Sequence, residues 1–193
     1  VVFERAYCAA PLSNPSRVAL MTGYRPSTSG IYENESFMRD SELLKDAVTL
    51  PKWFSNHGYY SLARGKIFHN PNGAWADPQS WNLHVPIEGS YGNTVNQEGF
   101  MVNGIPVGEV DANLDWGPTD ASFESTPDYL NARWAADQLA ADHIKPFFLA
   151  CGIFRPHLTW YVPKPFFDKF NPDNLILPEV NENDYDDIPS AAL

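Results

Sequence analysis

Residues 146–154 read Pro-Phe-Phe-Leu-Ala-Cys-Gly-Ile-Phe, an almost unbroken apolar run. A short run without polar alternation is what a strand covered on both faces requires. A helix signal precedes it. Thr126 suits the cap, Pro127 the first helical position and Asp128 the first turn, while Leu130, Trp134 and Leu139 fall on or near one face. A helix feeding a buried strand implies an α/β fold with a mostly parallel central sheet flanked by helices.

Other segments fit that frame. Ser13 or Asn14 can cap a helix with Pro15 at its first position, Val18 to Met21 inside it and Gly23 as its stop. A second helix is expected over 50–56, ending at Gly58, followed by a strand over 59–63 that leads into Arg64-Gly65-Lys66. Residues 70–124, rich in Gly, Pro, Asn and Trp, read as long loops with short strands. The end from Asn171 is rich in Pro, Asn and Asp and closes no element. At 193 residues, 44% hydrophobic, the chain can bury a sizeable core. No run of about 18 apolar residues predicts a membrane span, and no signal peptide is read at Val1. A formal net charge of −11 argues against a general nucleic-acid binder. Cys8 and Cys151 are expected to be buried free thiols, with a disulfide as the alternative.

The strongest chemical signal is Ser13-Asn-Pro-Ser-Arg17, continued by Val-Ala-Leu-Met-Thr-Gly23. It resembles the signature of type I sulfatases, in which Cys or Ser is followed by x-Pro-x-Arg and a Leu-x-Thr-Gly-like segment. By that resemblance a separate maturation enzyme oxidises Ser13 to formylglycine. Hydration then gives a geminal diol: one hydroxyl attacks sulfur, and the other expels sulfate as the aldehyde reforms. The local physics agrees, because unpaired N–H groups at a helix start favour an anion such as sulfate. Ser stands where many relatives have Cys. It is an alternative in bacterial sulfatases matured by a radical enzyme, and equally a change made to trap substrate.

Two further segments extend the resemblance to the iduronate-2-sulfatase-like subgroup of the alkaline phosphatase superfamily. Gly65-Lys66-Ile-Phe-His69 is similar to its Gly-Lys-x-Phe-His segment. This implies that Lys66 binds sulfate and the diol, and that His69 helps the diol collapse. Arg155-Pro-His157 is similar to its Arg-Pro-His segment, implying that His157 binds sulfate and can protonate the leaving oxygen. Nearby, Trp160 and Tyr161 can stack on a sugar ring, with a core position equally open, and Arg155 can meet an acidic sugar or form a salt bridge. His57, His84 and His143 receive no role. Asp115 to Asp120 lines a substrate cleft or simply forms a turn, and Asn34-Glu-Ser36 fits a glycosylation sequon.

The resemblance implies an N-terminal part of a sulfatase catalytic domain over 1–193, without the first strand and the C-terminal portion. The family's divalent cation, calcium or magnesium, would then meet Ser13 alone in this chain, with its other ligands elsewhere. A protein of only these residues is accordingly expected to be inactive. The expected partners are a sulfated glycan substrate and the maturation enzyme, and the expected location is periplasmic or secreted. Two other readings stand beside this one: a phosphoesterase using unmodified Ser13, and a non-catalytic glycan-binding protein.

Overall fold

The computed structural model describes residues 1–89 and 115–189. The part of the expected loop region at 90–114 lies outside them. In chain order the α-helices are α1 (Ser13–Thr22), α2 (Pro26–Ser29), α3 (Leu50–Asn56), α4 (Pro127–Ala140) and α5 (Lys164–Phe167). The strands are β1 (Tyr60–Gly65), β2 (Leu83–Val85), β3 (Trp116–Thr119), β4 (Phe147–Gly152) and β5 (Trp160–Pro163). Every strand pair described is parallel.

The main sheet runs β2-β1-β4, with Leu62 opposite both Leu83 and Leu149. Its centre is β1, where Ser61 to Gly65 are all buried. Side chains alternate between two faces. The Ser61 hydroxyl pairs with that of Ser55 on α3, whereas Arg64 Nε donates to Asn131 on α4. Helices therefore cover both faces, as the sequence predicts. The main apolar cluster joins Val18 and Met21 of α1 to Ile31, Met38, Leu44, Ala63, Ile67, Phe68 and Trp81. Arg39 braces the loop beneath it. Its guanidinium grips both Asp77 oxygens at 2.9 and 2.6 Å and donates to the carbonyls of Leu44 and Ala47. Losing one partner of such a buried pair typically costs about 3–5 kcal/mol.

Several expectations need correction. The fully apolar strand β4 is only half-buried over Phe147–Ala150, because it pairs with β1 on one edge and, among the described residues, with nothing on the other. The same open position leaves Cys151 exposed; Cys8 is exposed as well, and both are free thiols. The buried stripe of α4 is Pro127, Asn131 and Ala135, while Leu139 is exposed. The helix turns small and polar groups toward β1 and β4, since Asn131 must reach both Arg64 and the Gly152 carbonyl. Residues 116–119 form a strand paired with β5, where a turn was the alternative. The hydroxyl of Tyr161 bonds the carboxylate of fully buried Asp115, which anchors that pairing.

The ends of β1 and β4 cross closely. Gly65 and Gly152 face each other in register, and Lys66 N–H donates to Gly152 O at 3.2 Å. A Cβ on Gly65 would lie 2.0 Å from that oxygen, and Gly65 also holds φ +92°. Only glycine allows this approach, and it delivers Lys66 to the carboxyl end of the sheet.

Candidate active site

α1 starts differently from the expected capped form. Leu12 occupies the cap, and Ser13 is the first helical residue with no capping bond from its side chain. The Ser13 hydroxyl instead accepts from Arg17 Nε, one turn along, at 3.3 Å. The cap comes from a distant loop. Asn34 Oδ1 accepts from Asn14 N–H at 3.0 Å, and the Asn14 amide donates to the carbonyls of Glu33 and Ser36 at 2.9 and 2.8 Å. A helix start carries unpaired N–H groups that need acceptors. Here the Asn34–Ser36 triplet supplies one, which leaves the Ser13 side chain free for other work. The sequence offers Asn34 only as a sequon and Asn14 only as an alternative cap; their pairing is what sequence reasoning missed.

Arg17 ties α1 to the segment after β1. Its Nη1 donates to Lys66 O at 2.7 Å and Ile67 O at 2.8 Å. Burial pulls the Arg17 pKa below its ordinary value, although a guanidinium remains charged throughout the physiological range. The Lys66 pKa is lowered by burial first and by the Arg17 charge second. At 6% exposure Lys66 has lost most of its hydration, and its Nζ rests 4.4 Å from the centroid of the Phe154 ring. The electron-rich ring face offsets part of that loss.

His69 completes this corner. Its pKa is lowered by burial, then by the charges of Lys66 and Arg17, and further by His157; Glu35 opposes the shift. The imidazole therefore stays neutral at pH values where an ordinary histidine is half charged. Its Nδ1 is buried with no hydrogen-bond partner among the described residues. Glu35, on the loop that caps α1, is a second member of the corner that sequence reasoning did not single out.

His157 arrives from the other side. β4 ends at Gly152, and a turn closes with His157 N–H donating to Phe154 O at 3.1 Å. The rings of Phe154 and His157 lie 5.1 Å apart, so Phe154 is in contact with both Lys66 and His157. His157 Nδ1 lies 2.8 Å from Leu158 O. A carbonyl only accepts, so Nδ1 carries the proton and Nε2 is left to exchange one. The turn itself hangs on Asp128, whose carboxylate accepts from Phe154 N–H at 2.7 Å and Arg155 N–H at 2.9 Å.

Ser13, Arg17, Lys66 and His157 are thus linked through contacts, and His69 by its charge coupling to Lys66, Arg17 and His157, from three segments. Arg155 and Trp160 fall elsewhere. Arg155 Nη1 donates to His157 O, and Trp160 Nε1 to Pro156 O, both at 2.7 Å. Both residues line an apolar cavity of about 480 Å³ with Phe123, Tyr161 and Phe166. Ser13 and Arg17 line a separate hollow that shares no residue with it. His57 and His143 bond the carbonyls of Trp53 and Gln138 near the ends of α3 and α4. Burial lowers the pKa of His84.

Among the described residues, no three His, Cys, Asp or Glu side chains converge to hold a metal ion. These residues do not by themselves fit a divalent-cation site, and Asp186 and Asp187 lie exposed in the final segment. No described helix is long and apolar enough to cross a membrane.

The sulfatase family model matches residues 1–187. A protein named sulfatase from Formosa agariphila is 36% identical over 100% of this chain and 39% of its own length. Iduronate 2-sulfatase of Homo sapiens is 31% identical over 93% of this chain and 34% of its own. N-acetylgalactosamine-6-sulfatase of Homo sapiens is 29% identical over 86% and 34%. The chain spans two fifths or less of the length of these relatives.

Proposed function

Because this chain belongs to the sulfatase family, we propose that it carries the nucleophile and anion-binding half of an active site that hydrolyses sulfate esters on sulfated sugars or polysaccharides. One observation carries this reading: half-buried Arg17 holds the Ser13 hydroxyl at a helix start and couples through its charge to buried Lys66 and to His69, whose pKa is lowered. A dianion-forming reaction needs fixed positive charge where oxygen charge develops, and groups already held in place supply it without reorganisation. The names of the relatives favour a sugar sulfate as the substrate class.

In the proposed mechanism Ser13 acts after oxidation to formylglycine by a maturation enzyme. Once hydrated, that group supplies an attacking hydroxyl and a second hydroxyl through which sulfate is released. Arg17 fixes the Ser13 oxygen through Nε while its Nη1 is locked on two carbonyls. Lys66 neutralises a sulfate oxygen. In its imidazolium form, with Nδ1–H kept on Leu158 O, His157 gives its Nε2 proton to the departing sugar oxygen, and neutral His69 takes the proton released as the second hydroxyl closes to carbonyl. Of the residues in this chain, only Ser13 is proposed to reach the family's divalent cation, calcium or magnesium. Arg155 and Trp160 border the apolar cavity and are proposed to contact a neighbouring sugar. The location proposed for such an enzyme is periplasmic or secreted, where sulfated polysaccharide is met.

The test is free-sulfate release by the full-length, matured protein on a panel of sulfated glycans, beside Ser13→Ala. We expect the variant to lose at least about 10³-fold in turnover. Equal release by both proteins would overturn the assignment of Ser13. A peptide mass across Ser13 separates formylglycine from an unmodified serine, and the latter with phosphate-ester turnover would favour a phosphoesterase.

A further inference from the structure

Resting on that reading of His157, we infer that Asp128 is a positioning residue that sets His157 and Phe154 against Lys66. An acidic residue in the first turn of a helix is ordinarily explained by the helix dipole. The geometry here asks for more. The two carboxylate oxygens of Asp128 take one N–H each from consecutive residues, Phe154 and Arg155, at 2.7 and 2.9 Å. Charge-assisted bonds of this length are the strong kind, and only a group with two acceptors can make both. An amide offers one acceptor and turns its own N–H groups toward the other donor.

The rest of α4 makes that grip firm. Thr126 and Pro127 are buried and fix the start of the helix. One turn beyond Asp128, fully buried Asn131 bonds Gly152 O and receives Arg64 Nε. α4 therefore holds the end of β4 at Gly152 and the outgoing backbone at 154 and 155. Everything beyond depends on those two peptide groups. Phe154 O receives His157 N–H, and Arg155 Nη1 closes on His157 O. The Phe154 ring contacts both Lys66 and His157. His157 itself is exposed and has little packing of its own to hold it. A shift of the 154–155 backbone would move the ring under Lys66 and the imidazole together, and misplacement by about 1 Å can lower a rate about 10²-fold.

The experiment is a double-mutant cycle on the full-length, matured protein, reading kcat and KM for sulfate release together with thermal melting. Asp128→Asn should lower kcat about 10- to 100-fold, mainly in kcat. In a His157→Ala background the same change should lower kcat by a clearly smaller factor, because only its effect through Phe154 on Lys66 remains. An unchanged kcat in Asp128→Asn, or the same fold loss in both backgrounds, would overturn the inference. If Asp128→Asn does not fold, Asp128→Glu enters the same cycle. It keeps two oxygens but displaces them, so a smaller, equally non-additive loss is expected, and an additive one overturns. A silent His157→Ala would strike the proposed role of His157 and this inference with it. A strong His157→Ala effect beside a silent Asp128→Asn would strike Asp128 alone.

Discussion

The two sides of the site are held in contrasting ways. On the α1 side, Arg17 is clamped by two carbonyls and a hydroxyl, Lys66 is buried, and the helix start is capped by a loop from some twenty residues away. On the other side, His157 sits exposed on a turn suspended from one carboxylate. The difference follows the work each side is proposed to do. Fixed charge around sulfate gains from rigidity, because preorganised dipoles and cations need not move as the reaction proceeds. A proton donor to a departing sugar must meet a variable group, and an exposed imidazole with one free nitrogen suits that task.

That contrast can be broken by mutation. After Ser13→Ala, the largest effect is expected from Arg17→Ala. It should lower turnover by about 10²- to 10³-fold and also lower the melting temperature, because Lys66 O and Ile67 O lose their donor. Arg17→Lys should rescue little, since an ammonium cannot span a hydroxyl and two carbonyls as the fork does. Next, His157→Ala should lower kcat by about 10²-fold with almost no change in melting. A large melting shift in His157→Ala would erase the distinction between a rigid and a suspended side.

A pH profile sharpens the comparison. The proposed mechanism uses the base form of His69, whose pKa is lowered below 6.5 by burial, Lys66, Arg17 and His157 against the opposing Glu35. The base form therefore persists to lower pH, so kcat should fall on acidification with a midpoint below 6.5. Glu35→Gln should move that midpoint lower still, because it removes the one charge that favours the imidazolium. A midpoint at or above 6.5 in the parent protein would contradict the assignment. The smallest effect is expected from Asn14→Ala, which strips two carbonyls of their donor. It should destabilise the protein by about 1–3 kcal/mol while leaving kcat within about tenfold, as read by melting and sulfate release.

Much of the frame was legible because it depends on short-range signals. Pro127 and Thr126 mark the start of α4, Gly23 marks the end of α1 at φ 79°, and residues 50–56 form the expected helix. Ser13, Arg17, Lys66, His69 and His157 were singled out through their motifs, and the structure links them by contact and charge, while their catalytic roles are proposed. What failed were judgements of burial. The β4 run looked buried on both faces, yet burial depends on which neighbours a strand has. The α4 face was chosen by hydrophobicity, but the helix instead turns Asn131 inward to serve Arg64 and Gly152.

The sequence by itself determined the parallel α/β class and most of the helices, and it named the candidate reactive groups. These follow from local dihedral preference, capping chemistry and motif spacing. Only the tertiary structure decided that Ser13 is spared from capping, that Arg17 reaches across 49 residues to Lys66 O, and that Asp128 holds the turn before His157. Each of these is a hydrogen bond between groups far apart in the chain. Such partners compete for one another only once packing has brought them together and water has been excluded.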